Sequence, residues 1–225
     1  MSKPRTANCL TLFFDTFGFS ELVTGMEDFS SLIEPLLSIW DWVESRQKSS
    51  GFVPFLFSDG GYLIYPTEDI TDKRDVLRQC FADASRLMDE FLRHQLFVRG
   101  AVTYGRVSWT ERLLVGDAVV RAARLESSFC PGPFIIIPVK EIKELLSAEE
   151  FIAEYKVTKV PDKQKTATAQ CYVVFPVEDT LYIEAVIGNA ERFTTDGPWR
   201  HGRFWDETLT FLLTNFPQFE KWKRK

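Results

Sequence analysis

Two aspartates in this chain follow runs of large apolar residues, where a carboxylate needs a partner. Asp15 ends the apolar run in LFFDTFGF, and Asp59 follows a second run in FLFSDGGYLIY. A carboxylate buried beside hydrocarbon costs free energy unless a counter-charge, hydrogen bonds or a metal ion compensate. Paired carboxylates suit Mg²⁺ or Mn²⁺, which take their remaining ligands from water and substrate phosphates. The pair predicts a two-metal site for phosphoryl chemistry if the two segments are neighbours in a sheet.

Each aspartate also has a purely structural explanation. Asp59 precedes Gly60 and could be a turn residue, because Asp-Gly is a common turn pair. Asp15 could cap the helix that follows it. The segment after Asp15 contains Gly18, and a glycine turn that opens a helix can offer backbone N–H groups to a triphosphate. Spacing leaves both explanations open.

A predicted helix in VRAARLESS carries two arginines. Arg121 and Arg124 are three residues apart and share roughly one face, and Ala122 and Ala123 would let another backbone approach. An arginine fixed on a helix can stabilise charge that develops on a transferring phosphoryl group. Arg121 could equally be solvated, and Arg124 could pair with an acidic residue of its own helix. Glu126 could hold an arginine in place or form a surface salt bridge.

Composition excludes several functional classes. The net charge of −5 argues against a nucleic-acid-binding protein, and only two histidines are present, which disfavours a histidine triad or a two-histidine metal site. No apolar run approaches the roughly 20 residues that span a bilayer. The first residues lack a signal-peptide cleavage pattern. The four cysteines have no CxxC spacing, so we expect reduced core thiols and a cytoplasmic protein.

Hydrophobic periodicity and turn residues predict an alternation of strands and helices. Strands are predicted at 9–15, on both sides of the DGG turn at Asp59, and at 96–109, 133–138, 151–159 and 170–176. Helices are predicted at 19–47 with a kink or break at Pro35, and at 73–95, 116–128, 139–147 and 204–222. The order predicts an α+β fold of the ferredoxin-like kind, with helices packed on one face of a mostly antiparallel sheet.

These motifs, in this order, resemble the class III nucleotidyl cyclases. FFDTFGF matches the strand that ends in the first metal aspartate, and FSDGGY matches the hairpin with the second. VRGAVTYGRV matches the Arg-x-Gly strand that follows, and GDAVVRAAR matches the helix pattern G-x-x-V-N-x-A-x-R. The resemblance covers about residues 8–175. It implies a cyclase domain at 1–176 and a C-terminal extension at 177–225.

The resemblance implies a role for each matched residue. Asp15 and Asp59 would bind two metal ions, Mn²⁺ or Mg²⁺, and Thr16 would add its backbone carbonyl. Arg124 would stabilise the transition state. The backbone amides that would hold the triphosphate are those of Phe17, Gly18 and Phe19. The family's sites form between subunits, so a homodimer is expected, with the aspartates from one chain and Arg124 from the other.

Three positions depart from the family pattern. The helix asparagine that orients the ribose falls on Val120, and Arg121 is a weak substitute because it points about 100° away. The residues that read a purine fall on Phe55, four residues before Asp59, and on Leu113. Neither apolar side chain can hydrogen-bond a purine edge, so adenylate or guanylate specificity is not expected.

The stand-alone domain with FFDxxGF, FSD and LE after the helix arginine looks like the pyrimidine cyclases of bacterial Pycsar anti-phage systems. This resemblance implies conversion of UTP to 3′,5′-cyclic UMP, a second messenger that a separate effector protein senses. CTP as the substrate, or a catalytically silent nucleotide-binding module, remains an alternative. A palm-type polymerase or a diguanylate cyclase fits less well, because no GGDEF-like hairpin is present.

Overall fold

The structure, a computed structural model, describes residues 3–24, 26–68, 70–129, 132–143, 145, 157–162, 164, 166–177, 179–195, 202–216 and 219. The strands are β1 (Arg5–Thr16), β2 (Val53–Phe57), β3 (Gly60–Pro66), β4 (Val98–Trp109), β5 (Leu114–Gly116), β6 (Ile135–Pro138), β7 (Val157–Pro161) and β8 (Thr168–Val174). The helices are α1 (Phe19–Thr24), α2 (Ser30–Ser50), α3 (Lys73–Arg93), α4 (Asp117–Phe129), α5 (Val139–Ile142), α6 (Asp179–Thr195) and α7 (Gly202–Asn215).

The described strands form one sheet in the order β2-β3-β1-β4-β6-β8-β7, with β5 paired to β4. The β4–β6 pair is parallel, and the other described pairs are antiparallel. The long strand β1 lies between β3 and β4, so its end contacts the ends of both neighbours. The predicted α+β fold with a mostly antiparallel sheet is confirmed.

Helices cover both faces of this sheet. On one face, Leu10, Leu12 and Phe14 of β1 belong to the large core together with apolar residues of α2 and α3. On the other face, a second apolar cluster includes Cys9 of β1 and Ala118 of α4. The Thr103 hydroxyl of β4 donates a hydrogen bond of 2.8 Å to the Ala118 carbonyl. The sequence predicts helices on one face of the sheet. The structure differs in that α4 packs on the opposite face.

The predicted helix pair is present, but its break precedes Pro35. Pro35 lies inside α2, which begins at Ser30. The Asp28 carboxylate accepts hydrogen bonds from the Ser30 amide at 2.9 Å and the Ser30 hydroxyl at 2.7 Å, which fixes the start of α2. Leu32 and Leu36 of α2 are buried on either side of the proline, so packing holds the helix together across it.

The C-terminal part contains two described helices, α6 and α7, where the sequence predicts one at 204–222. Tyr182 of α6 donates a hydrogen bond of 2.7 Å to the Pro133 carbonyl, and Phe211 of α7 stacks on Phe134 at 5.3 Å between ring centroids. Residues 151–156 of the predicted strand 151–159, and residues 25, 144, 146–147, 217–218 and 220–222 of three predicted helices, lie outside the described residues. The division of the chain at residue 176 stays a prediction.

The described cysteines are core thiols. Cys9, Cys80 and Cys171 are buried, and burial, together with Glu68, raises the pKa of Cys9 to about 12. Cys130 lies outside the described residues. Among the described helices, none combines the length and the apolar character that crossing a membrane requires.

Candidate active site

The two aspartates meet at one end of the sheet. Asp15 lies opposite Gly60 in the β1–β3 pair, so the hairpin turn that holds Asp59 lies beside the end of β1. The Thr16 amide donates to the Asp59 carbonyl at 3.0 Å, and the Thr16 hydroxyl donates to the same oxygen at 2.6 Å. The convergence that the sequence predicts is therefore present, and Thr16 fastens the hairpin turn to β1.

The glycines after Asp59 lie inside β3 rather than in the turn. The two-residue turn is Ser58–Asp59, because Phe57 pairs with Gly60. A Cβ atom on Gly60 would overlap the Phe14 carbonyl oxygen of β1, and one on Gly61 would lie 2.7 Å from the Phe55 carbonyl oxygen. The Asp-Gly-Gly turn predicted from sequence is thus displaced towards the N-terminus, because the glycines are needed for close strand packing.

Burial and neighbouring charge both act on the Asp15 carboxyl group. Burial, and then the negative charge of Asp59, raise the pKa of Asp15 from 3.8 to about 6. Arg99 opposes this shift, with its Nη2 atom 3.3 Å from Asp15 Oδ2, while Glu126 adds to it. Two neighbouring hard-oxygen ligands that repel each other are a fitting donor set for a divalent cation.

The described residues alone do not complete a metal site. No group of three or more His, Cys, Asp or Glu side chains among them is arranged to hold an ion. A cation at Asp15 and Asp59 would therefore take further ligands from backbone carbonyls, water or substrate, as Mg²⁺ commonly does. The residues present fit a metal that arrives with a phosphate ligand.

Arg99 joins the aspartate pair to α4. Its guanidinium forms ion pairs with Asp15 and with Glu126, which is 4% exposed. The prediction that Glu126 could hold an arginine in place is confirmed, with Arg99 as the arginine. Sequence reasoning missed Arg99 as a site residue, because its position opposite Asp15 follows from the β1–β4 register. The only signal was its place in the Arg-x-Gly motif.

In the turn after Asp15, one of the three amides predicted to hold the triphosphate has a partner within the chain. The Phe17 amide donates to the Phe97 carbonyl at 2.7 Å, so binding of a phosphate would require this amide to share or exchange its partner. Gly18 has a φ of +78°, which favours glycine, and its carbonyl accepts from the Leu22 amide at 3.1 Å. For all three amides, triphosphate binding stays a prediction.

Arg124 lies on the side of α4 that faces away from the sheet. The buried residues of α4 are Ala118, Ala122, Leu125 and Glu126. Arg124 and Val120, one helical turn apart, are both exposed. Because Arg124 precedes Glu126 by two residues, the two side chains point about 200° apart around the helix. Glu126 is directed at Arg99 and the aspartates, so Arg124 is directed away from the aspartates of its own chain.

Arg121, by contrast, is a structural residue. It forms an ion pair with Asp117, a second with Glu141 at 3.0 Å, and a hydrogen bond of 2.5 Å to the Tyr104 carbonyl. Gly105 of β4 makes room for it, since a Cβ there would lie 2.8 Å from Arg121 Nη2. These contacts exclude the solvated side chain that the sequence left open, and they make Arg121 a poor substitute for the ribose-binding asparagine.

The two positions that the resemblance assigns to base reading lie near a cleft at the edge of the sheet. Phe55 is half-buried and lines a cleft of about 600 Å³ together with Thr110 and Glu111 of the β4–β5 turn. The α2 residues of the cleft are Asp41, Glu44, Ser45, Gln47 and Lys48. Leu113 ends the same turn, with its amide donating to the Thr110 hydroxyl at 3.1 Å, and it is 59% exposed. The cleft has apolar and polar walls.

The fold of the chain is similar to that of several solved structures. No protein-family model and no curated protein sequence matches the chain. Solved structures do. The catalytic core of a rhodopsin-guanylyl cyclase with converted specificity, in complex with ATPalphaS, has a TM-score of 0.60 at 15% identity, over 78% of this chain and 99% of its own. The adenylyl cyclase CyaB from P. aeruginosa has a TM-score of 0.56 at 16% identity, over 79% and 99%. The guanylate cyclase domain of RhGC from Catenaria anguillulae, in complex with GTP, has 0.56 at 15%, over 78% and 99%. The chain has the class III cyclase fold.

Within this cyclase fold, the predicted site residues form two separate groups. Asp15, Thr16 and Asp59 lie together at the ends of β1 and the hairpin. Val120 and Arg124 lie on an exposed face of α4 that points away from them. About a fifth of this chain has no counterpart in the neighbours, whose own chains are matched almost completely.

Proposed function

We propose that the protein is a nucleotide cyclase. The observation that carries the proposal is the convergence of Asp15 and Asp59 at the end of β1 in a class III cyclase fold. Two of the structural neighbours are complexes with ATPalphaS or GTP. A pair of carboxylates that repel each other and a raised pKa for Asp15 are features of functional sites more often than of structural ones.

In the proposed reaction, the 3′-hydroxyl oxygen of the ribose attacks the α-phosphorus. The new P–O bond closes the cyclic nucleotide, the bond from the α-phosphorus to the bridging oxygen breaks, diphosphate leaves, and the hydroxyl proton passes to water. Asp15, Asp59 and the Thr16 carbonyl would hold two Mn²⁺ or Mg²⁺ ions. Bound there, these ions would lower the pKa of the hydroxyl and neutralise phosphate charge.

The chain's own residues divide the remaining work. Arg99, held by Glu126, keeps the Asp15 carboxylate in position. The amides of Gly18 and Phe19 would bind the triphosphate. Arg124 would stabilise the negative charge that builds up on the α-phosphate and the leaving group.

We propose a homodimer with two sites related by twofold symmetry. Arg124 points away from the aspartates of its own chain, so a second chain must supply the arginine. Exposed apolar side chains support a contact between chains: Phe57, Leu113, Val115 and Val120. A closed dimer would cover these residues and bring Arg124 of each chain to the aspartates of the other.

We propose a pyrimidine substrate, UTP, with CTP as the alternative. Support comes from Phe55 and Leu113, which offer no hydrogen-bonding group at the positions where purine cyclases read the base. Phe55 presents a half-buried ring on which a smaller base could stack. Cyclic UMP would then act as a second messenger for a separate effector protein in anti-phage defence.

Incubation of the purified protein with Mn²⁺ and each of the four nucleoside triphosphates, followed by separation of the cyclic products, tests this proposal. We expect 3′,5′-cyclic UMP from UTP and no product from the Asp59→Asn variant. Cyclic AMP or cyclic GMP as the sole product would refute pyrimidine specificity while keeping the cyclase activity. Cyclic CMP as the main product would select the alternative substrate.

A catalytically silent nucleotide-binding module is the second candidate, and Val120 favours it. Without the asparagine, the ribose lacks its usual hydrogen-bonding partner. A silent module would bind UTP and Mn²⁺, detected as a rise in melting temperature, without forming a cyclic product from any of the four triphosphates. Turnover that Asp59→Ala abolishes would exclude this candidate.

A further inference from the structure

We infer that helix α7 supports the site, with Trp205 as a positioning residue for the turn that follows Asp15. This inference rests on the proposed cyclase function for its kinetic consequences, but its structural part stands independently. The motif resemblance ends near residue 175, so nothing in it assigns a role to α6 or α7.

Trp205 of α7 contacts this turn through Phe17. The residue is 6% exposed. It lies 5.3 Å from the Phe17 ring in an edge-to-face arrangement at 80°, and 4.8 Å from the Phe97 ring at 68°. Such pairs have a preferred geometry, so they fix orientation as well as burying area.

Two further contacts hold Phe17, in addition to the Trp205 ring. The Arg99 guanidinium carbon lies 5.6 Å from the centre of the Phe17 ring, a cation–π distance. The Phe17 amide donates to the carbonyl of Phe97, the second ring that Trp205 contacts. Trp205 therefore supports both the side chain of Phe17 and the residue that holds its backbone.

Phe17 lies between the residues that are proposed to bind metal and phosphate. Phe17 lies two residues after Asp15 and directly before Gly18, whose amide is a proposed phosphate donor. Arg99 contacts both the Phe17 ring and the Asp15 carboxylate. Loss of the Trp205 ring would leave Phe17 free to turn, which would loosen the turn and withdraw one support from Arg99. Sites of this kind lose activity when their reacting groups shift by about 1 Å.

Other contacts attach the extension without Trp205, which makes a matched control possible. Phe211 of α7 stacks on Phe134 and contacts Phe216 at 5.8 Å, away from Phe17. Trp205→Leu and Phe211→Leu each remove one aromatic ring from the same helix and keep an apolar side chain. Only the first removes a ring that contacts the turn.

Hydrogen exchange of the peptide around residues 12–19 and steady-state kinetics with UTP and Mn²⁺ test the inference together. For Trp205→Leu we expect exchange of the Phe17 amide to rise about tenfold, because local opening sets its rate, and the KM for UTP to rise more than kcat falls. Trp205→Phe should restore most of both. Phe211→Leu should lower the melting temperature and leave both quantities near wild type.

Unchanged exchange at Phe17 in Trp205→Leu, or an equal rise in Phe211→Leu, would overturn the inference. So would normal KM and kcat in a Trp205→Leu protein whose Phe17 amide exchanges faster, since the turn would then not matter to the site. A wild-type protein without turnover would refute the proposed cyclase function alone, because the exchange measurement would still decide whether Trp205 holds the turn.

Discussion

At the scale of single residues, the charge repulsion between Asp15 and Asp59 lowers folding stability, although the same two carboxylates are the proposed metal ligands. In the folded chain, burial and then the charge of Asp59 raise the pKa of Asp15 from its ordinary value of 3.8 to about 6. A group with a raised folded pKa binds more protons in the folded state, so its contribution to stability is lost as pH rises from about 4 through about 6. Above that range, the metal-free protein carries the repulsion between Asp15 and Asp59.

The Asp59→Asn variant should therefore be more stable than wild type at pH 7.5 without metal, by about 1 kcal/mol. At pH 4.5, where Asp15 is protonated in the folded wild type, the difference should be small. Urea unfolding at the two pH values measures it. Mn²⁺ should stabilise wild type at pH 7.5 and leave Asp59→Asn nearly unchanged. A variant less stable than wild type at pH 7.5 would mean that the repulsion is already compensated.

The two arginines of α4 should separate activity from stability. Arg124 is exposed and forms no ion pair with any residue that the structure describes. We expect Arg124→Ala to keep the wild-type free energy of unfolding and to lose turnover by about 100-fold or more, as for other residues that stabilise transition-state charge. Cyclisation assays and urea unfolding check both.

Arg121→Ala is the matched comparison. Arg121 links α4 to Glu141 and to the Tyr104 carbonyl, and its side chain is partly exposed. Its removal should cost about 1–2 kcal/mol of stability, because Glu141 and the carbonyl lose a partner. Turnover per folded molecule should fall much less than in Arg124→Ala. The reverse pattern would exchange the roles of the two arginines.

The convergence of Asp15 and Asp59 was predictable from the chain, because both aspartates follow apolar strand segments. Arg124 was assigned only through the motif resemblance, and its role stays a prediction. Arg99 was not predictable, because its role depends on the strand register that sets it opposite Asp15. The hydrogen bond of the Phe17 amide could not be predicted for a similar reason, since its partner, the Phe97 carbonyl, is 80 residues away in the chain and reaches it only through the fold.

At the scale of elements, the glycines of β3 decide how closely the aspartate-bearing strands approach. Gly60 packs directly against the Phe14 carbonyl of β1, so a methyl group there must separate two paired strands. Gly60→Ala should cost about 2–3 kcal/mol of stability, as overpacked sites do, and abolish turnover. Thermal unfolding and the cyclisation assay measure the two effects.

Gly188→Ala provides the control for this substitution. Gly188 lies on α6, and a Cβ atom there would meet nothing within 4 Å. Alanine should raise stability by about 0.5–1 kcal/mol, because glycine is the poorer helix former. Equal losses in both variants would show that the strand contact at Gly60 is not tight.

Element boundaries were predicted less well than element types. The helix pair after β1 was recognisable, but Pro35 suggested the wrong boundary because packing around Leu32 and Leu36 keeps α2 continuous. Helix α6 was missed although Tyr182, Ile183 and Val186 are buried at a helical spacing. Strand β5 has three residues, too few for a periodic pattern.

At the scale of the whole molecule, one chain carries the parts of the proposed site on two faces that do not meet. The aspartates lie at the end of β1, and Arg124 lies on the side of α4 that faces away from them. A twofold dimer would bring the aspartate end of each chain next to the α4 face of the other, so that Arg124 of one chain meets the aspartates of its partner. It produces two sites, each built from both chains.

This arrangement predicts that two inactive variants restore activity when mixed. Asp59→Asn and Arg124→Ala chains, co-refolded in equal amounts, form mixed dimers in half of the pairs by chance. Each mixed dimer has one site with both defects and one with neither, so the mixture should reach about a quarter of wild-type turnover. Asp59→Asn mixed with Asp15→Asn should recover nothing, because both substitutions lie on the same side of the site. If the first mixture also stays inactive while size-exclusion chromatography shows dimers, each site takes its aspartates and its arginine from a single chain.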